Sequence, residues 1–123
     1  MANKRKKKNR IDYHNKLKMR ENRIRSSGNI VPPLTKDYVE PLMKKHGLDN
    51  YRVELWGDIR VMSKFDSWII ETDGAVIFLK HSNEKEIRKG NDRNSYHNHA
   101  VFYDLDYCLK SIVEHDKFKG SIN

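Results

Sequence analysis

Eleven of the first 25 residues are cations: Lys4, Arg5, Lys6, Lys7, Lys8, Arg10, Lys16, Lys18, Arg20, Arg23 and Arg25. Only Asp12 and Glu21 oppose them, a net +9, whereas the rest of the chain holds 14 basic and 15 acidic residues. The whole positive excess, +8 for the chain, therefore belongs to one end. Lys and Arg at this density neutralise phosphates, and Tyr13 and His14 among them offer rings that stack on exposed bases, as arginine-rich segments do when they fold on RNA. A solubility or localisation tail would carry the same charge, but an ordinary solvated helix face is far less dense in it.

A second chemistry is written in the histidines. His97 and His99 stand two apart on an expected strand and so share a face, and His81 at the end of the preceding strand could be near them, although the sequence does not fix whether the three converge. Imidazoles suit zinc, and three with an open position form a catalytic set. Two histidines two apart are nevertheless a weak motif, and no acidic residue stands beside them in sequence. They are read as exposed or phosphate-contacting, with no metal and no cofactor expected. Cys108 falls on the apolar stripe of a helix, where a small hydrophobe belongs, rather than beside a base that would activate it. Asp104, Asp106, Glu114 and Asp116 flank the same helix, and the pair Asp104 and Asp106 is read as capping it, one or the other, rather than as magnesium ligands. Arg88, Lys89 and Arg93 lie in a polar stretch that could join the basic segment in holding a backbone. Trp56, beside Gly57 in a turn, is a candidate partner contact together with Tyr13.

The elements that position these residues follow from periodicity. Residues 1–10 bury nothing and repel one another, so they are expected to be disordered when free; residues 11–25 form a marginal helix with a thin stripe of Tyr13, Leu17 and Ile24. Ser26 to Asn29 break it, and Pro32-Pro33 stiffen the next stretch into an extended connection. Thr35 caps a short helix that runs to about His46 and ends at Gly47, with Pro41 able to delay its start. Tyr51 to Leu55 and Ile59 to Ser63 read as strands joined by Trp56-Gly57-Asp58, which sets Leu55 opposite Ile59. Asp73-Gly74 predicts a two-residue turn, with Thr72 facing Ala75, Ile70 facing Ile77 and Trp68 facing Leu79; both faces of that hairpin are apolar enough to make it central. His81 to Ser95 is a long polar loop, and Tyr96 to Tyr103 resumes as a strand. Leu105, Cys108, Leu109, Ile112 and Val113 then mark an amphipathic helix.

The expected fold class is α+β: a short N-terminal helix, an antiparallel meander of about five strands and a C-terminal amphipathic helix, preceded by the basic arm. The organisation is an arm at residues 1–29, a compact domain at 30–118 and a polar tail at 119–123. Deleting residues 1–25 is expected to leave stability nearly intact. The 123 residues, 37% of them hydrophobic, suffice for one core and not for two. With a single cysteine there is neither an intrachain disulfide nor a four-cysteine zinc site. No apolar run approaches a membrane span and no secretory signal opens the chain, so a cytoplasmic, reducing location is expected, with no membrane partner. A pI near 9.6 points to a polyanionic partner.

Two stretches, Lys4 to Arg25 and Tyr96 to Asp116, carry a resemblance. In the second, Tyr-His leads through an apolar strand into Asp-Leu-Asp-Tyr and an amphipathic helix. The arrangement resembles the small intracellular proteins of Gram-positive phages and mobile elements. Within that group it is similar in plan to certain anti-CRISPR inhibitors of type II effector nucleases, which join an Arg/Lys-rich segment to a compact α+β domain. The resemblance implies a stoichiometric inhibitor that contacts the guide-RNA-loaded nuclease. A ribosome-associated or phage DNA-binding protein shares the same charge layout, and a small metal-dependent hydrolase built on the histidine strand is the alternative of another class. The expectation is a non-enzymatic protein that binds nucleic acid or an RNA-guided nuclease complex.

Overall fold

The computed structural model describes residues 15–55, 57–82 and 96–122. Helix α1 occupies residues 15–26, α2 Lys36–His46 and α3 Leu105–Ile122. Between α2 and α3 run β1 Tyr51–Val53, β2 Ile59–Met62, β3 Ser67–Thr72, β4 Ile77–Ser82 and β5 His97–Phe102. The strands form one antiparallel sheet in chain order, which makes the protein an α+β meander with β3 at its centre.

One face of the sheet presents Ile59, Val61, Trp68, Ile70, Ile77 and Leu79, and α2 and α3 close over it with Val39, Met43, Leu105, Cys108, Leu109 and Ile112. Each such fully buried Leu or Ile contributes roughly 1.5–3 kcal/mol, whereas a helix cap is worth about 1. The stripe on α3 therefore fixes where that helix lies, and Asp104, accepting from the Tyr107 amide at 2.8 Å, only fixes where it starts. For α2, Thr35 accepts from the Tyr38 amide. Gly47, at φ 69°, lets the Leu48 amide turn back to the Met43 carbonyl at 3.0 Å and stops the helix. Pro41 does not delay the start; it sits inside the helix and leaves the Asp37 carbonyl without its usual donor. Lys45 and His46 at the end of α2 both reach Asp106 on α3, at 3.0 and 2.7 Å, clasping the two helices together.

The second face is also covered, by α1. Ile24 is completely buried against Val76 and Val101, with Leu17, Ala75 and Phe78 around it. Arg25 bridges Glu21 and Asp73, and Asn29 donates to the carbonyls of Ala75 at 2.9 Å and Tyr103 at 2.7 Å. The Val31 amide adds a bond to the Gly74 carbonyl at 2.8 Å. The boundary expected near residue 30 therefore does not separate a free arm from the domain, because residues 15–26 pack into the fold. The thin stripe was sufficient because Val76, Phe78 and Val101 are apolar on that side of the sheet.

Three local expectations change. The β3–β4 loop holds four residues rather than two, so Thr72 pairs with Ile77, Ile70 with Leu79 and Trp68 with His81. Asp73 is the cause: its Oδ1 accepts from the amides of Ala75 and Val76 at 2.9 and 3.1 Å, while Thr72 Oγ1 donates to the Val76 carbonyl at 2.6 Å. A slip of two residues preserves both faces, so the core assignment survives. In the β1–β2 connection Val53, not Leu55, pairs with Ile59, since the Glu54 amide bonds the Asp58 carbonyl at 2.8 Å and closes a wider loop. Leu55 is left fully exposed. Finally, α3 continues through the expected polar tail to Ile122, held there by Lys119, which bonds Asp66 at 2.5 Å.

Candidate functional site

Beside Trp68, the apolar face of the sheet gives way to a cluster of polar side chains. Asp66 ends the β2–β3 turn, held by the Ser63 amide donating to its carbonyl at 3.0 Å, and its side chain is fully buried. His81 comes from β4, His97 and His99 from β5, and His115 and Lys119 from successive turns of α3. The rings pack on the Trp68 indole with centroids 4.4 Å away for His81, 5.3 Å for His99 and 5.0 Å for His115. The indole itself is fixed by donating to Ser63 Oγ at 2.8 Å; Ser63 in turn donates to Asp116 of α3 at 2.9 Å.

His81 faces two neighbours. Its Nδ1 stands 3.3 Å from His97 Nε2 in a hydrogen bond, and its Nε2 lies 3.4 Å from Asp66 Oδ2. His115 Nδ1 approaches the same oxygen at 3.2 Å. Neither approach to the carboxylate has hydrogen-bond geometry: Asp66 Oδ2, His81 Nε2 and His115 Nδ1 are buried atoms without a hydrogen-bond partner. Lys119 neutralises Asp66 from its other oxygen. Burial lowers the His81 pKa in spite of the Asp66 charge, and burial together with the neighbouring histidines brings His99 down to about 4. These two imidazoles are therefore neutral near pH 7, the form that accepts a proton or a metal ion. Two overlapping sets have ligand spacing: His81 with His97 and His99, and Asp66 with His81 and His115.

The three histidines named from the sequence do converge. Only His97 is exposed, however; His81 is buried and His99 half-buried, because they pack on Trp68 beneath α3 and not on solvent. Asp66 and His115 were missed. A signal for His115 existed, since His115 and Lys119 continue the inward stripe of Leu105, Cys108, Leu109 and Ile112 with the chemistry changed. A bulge between Leu79 and Lys80, with His97 paired to His81 but Ala100 to Leu79, adjusts how the β5 histidines are presented. Cys108 is buried in the apolar core, and burial pushes its thiol pKa up, so it is not a nucleophile.

Among the basic residues, Lys16, Lys18, Arg20 and Arg23 are exposed on α1. Lys16, Lys18 and Arg23 make no ion pair among the described residues, and Arg20 lies over the Phe102 ring at 5.3 Å. Arg25 is engaged by Glu21 and Asp73, which gives it a structural task. The expectations for Lys4 to Lys8, Arg10, Tyr13, Trp56, Arg88, Lys89 and Arg93 lie outside the described residues. A cleft of about 460 Å³ near β1 and β2 shares Trp68 with the histidine cluster and is lined also by Arg52, Arg60, Tyr51 and Tyr96, but both arginines there turn to Glu54, at 2.8 and 3.2 Å. Among the described residues no helix is long and apolar enough to cross a membrane.

Compared with protein-family models, curated proteins and solved structures, the chain matches none. The class is accordingly defined by its own geometry: an antiparallel α+β meander with a basic helix on one face and a buried histidine–aspartate centre on the other.

Proposed function

We propose that this protein binds nucleic acid or a nucleoprotein without catalysing a reaction, gripping phosphates with its N-terminal segment. The observation that carries the reading is the +9 charge of residues 1–25 on a chain otherwise near neutrality. The docking of α1 adds to it. With Ile24 and Leu17 turned inward, Lys16 and Arg23 stand seven residues apart on one exposed flank of α1, a span of about 10 Å, while Arg20 leans over the Phe102 ring. Duplex DNA carries roughly six phosphates over that length of axis. A helix held by the sheet presents its cations without first having to order them, which favours binding. In its most specific form the protein is the inhibitor of an RNA-guided nuclease that the resemblance implies, working in a reducing, intracellular setting that suits its single buried thiol.

The test is the salt dependence of binding to short RNA and DNA duplexes and to single strands. Six to nine phosphate contacts give a log–log slope of roughly −4 to −8. Replacing Lys4 to Lys8 by alanine, and separately Lys16, Lys18 and Arg23, flattens that slope in each case. Unchanged affinity and slope in both variants refute phosphate binding by this segment. A shallow slope that tightens only with a guide-loaded nuclease identifies the nucleoprotein as the partner.

A further inference from the structure

We propose that Asp66, His81 and His115 form a binding site for one zinc-class divalent ion, with Asp66 Oδ2, His81 Nε2 and His115 Nδ1 as the ligand atoms. The site is independent of the basic segment and its assigned role.

The geometry points there for three reasons. First, those are three buried polar atoms without a hydrogen-bond partner, and they face one another, all within 4.8 Å. A buried polar atom left unpaired is costly, so three together call for a common partner. Second, the spacing is that of ligands around a metal. Arms of about 2.0–2.1 Å to nitrogen and oxygen set the edges of a zinc tetrahedron at about 3.3–3.4 Å. The observed edges from Asp66 Oδ2 are 3.4 Å to His81 and 3.2 Å to His115. If these contacts were ion pairs, protonated His81 and His115 would add two cations to a carboxylate that Lys119 already neutralises from Oδ1 at 2.5 Å. Third, the surroundings complete an outer shell. Lys119 occupies the second carboxylate oxygen and leaves Asp66 to bind through one, while His97 Nε2 stands 3.3 Å from His81 Nδ1, where it accepts the Nδ1 proton in the tautomer that frees His81 Nε2 for a metal. Trp68 packs against both imidazoles and holds their planes.

The donor set selects the ion. Two imidazoles and one carboxylate are borderline nitrogen and oxygen ligands, which suit zinc better than magnesium or calcium, whose sites are built of oxygen alone. Three protein ligands leave a fourth position for water or a bound ligand, the pattern of open rather than closed zinc sites.

The full chain, stripped with a chelator and dialysed, is titrated with Zn²⁺ by calorimetry and with Co²⁺ by visible absorption. The expected result is one ion per chain, intense cobalt bands of a four-coordinate site, and a melting temperature that rises with zinc. His115→Asn, on a partly exposed helix position, lowers affinity by more than about a hundredfold; His97→Asn, an outer-shell change, lowers it by about ten- to a hundredfold. Asp66→Asn follows His115→Asn if it folds, and His115→Asn decides alone if it does not, with circular dichroism checking the fold. Absence of stoichiometric binding overturns the proposal, as does binding that survives His115→Asn. Ion binding abolished by His99→Asn but retained in His115→Asn overturns it too, by moving the ion to the His81, His97 and His99 set.

Discussion

Truncating Ile24 to alanine tests whether α1 is an integral part of the domain. The side chain is completely buried between the helix and the outer face of β4 and β5, in contact with the cluster of Val76 and Val101. Removing a buried Ile side chain down to Ala costs about 2–5 kcal/mol, combining lost transfer energy with the cavity left behind. Here the cluster is thin and the helix can settle toward the sheet, which places the cost near the lower end, at about 2–3 kcal/mol. For a domain of this size that is a fall in Tm of roughly 10–15 °C. Leu17→Ala, at a half-buried position, costs about half as much. Urea and thermal unfolding followed by circular dichroism give both numbers. Two truncations sharpen the assay: a chain starting at residue 15 keeps α1 and nearly full stability, whereas one starting at residue 27 loses α1 and uncovers Val76 and Val101. A change below about 1 kcal/mol in Ile24→Ala, or equal melting of the two truncated chains, refutes the docking of α1.

Other predictions address single features. Asp73 is pushed up by burial, but the amides of Ala75 and Val76 and the Arg25 guanidinium outweigh this and hold its carboxyl below the ordinary range. Its stabilisation is therefore fully present above the unfolded-state value of about 4 and is lost as pH falls through the lower folded value, so Asp73→Asn flattens the acid limb of a stability profile measured by urea unfolding. Cys108 reacts with a thiol reagent only on unfolding, at a rate that follows global opening; rapid labelling of the native chain would contradict its burial. Pro41→Ala restores the amide that the Asp37 carbonyl lacks, at an exposed position, and raises the unfolding free energy by about 2 kcal/mol; a loss would show that α2 depends on the proline.

The sheet was readable in the sequence because alternation survives errors of register: the two-residue slip at Asp73 left Trp68, Ile70, Ile77 and Leu79 on the same face. The caps Thr35, Gly47 and Asp104 were readable because they act locally. The docking of α1 was not, since Ile24 gains its burial from Val76 and Val101, far along the chain. The histidine centre was half legible. His81, His97 and His99 lie on neighbouring strands, and strand pairing predicts their meeting. Asp66 stands in a turn and His115 on a helix, and only the packing of α3 over Trp68 brings the two together.

The plain up-and-down order of the strands also bears on how the chain assembles. Each strand pairs with its chain neighbour, so β1 to β4 can zip as successive hairpins across connections of a few residues. The last pairing differs, because β4 ends at Ser82 and β5 begins at His97. Closing that longer connection costs roughly 1 kcal/mol more than closing one of the short loops. Helix α3 comes after β5 in the chain and has no complete surface to dock on until β5 is home. His97 and His99 arrive with β5 and His115 and Lys119 with α3, so late completion of the histidine centre is the expected order, checked by whether His115 substitutions leave the folding rate unchanged. An ion held there would act on the unfolding rate far more than on the folding rate, giving a longer-lived native state without a faster route to it.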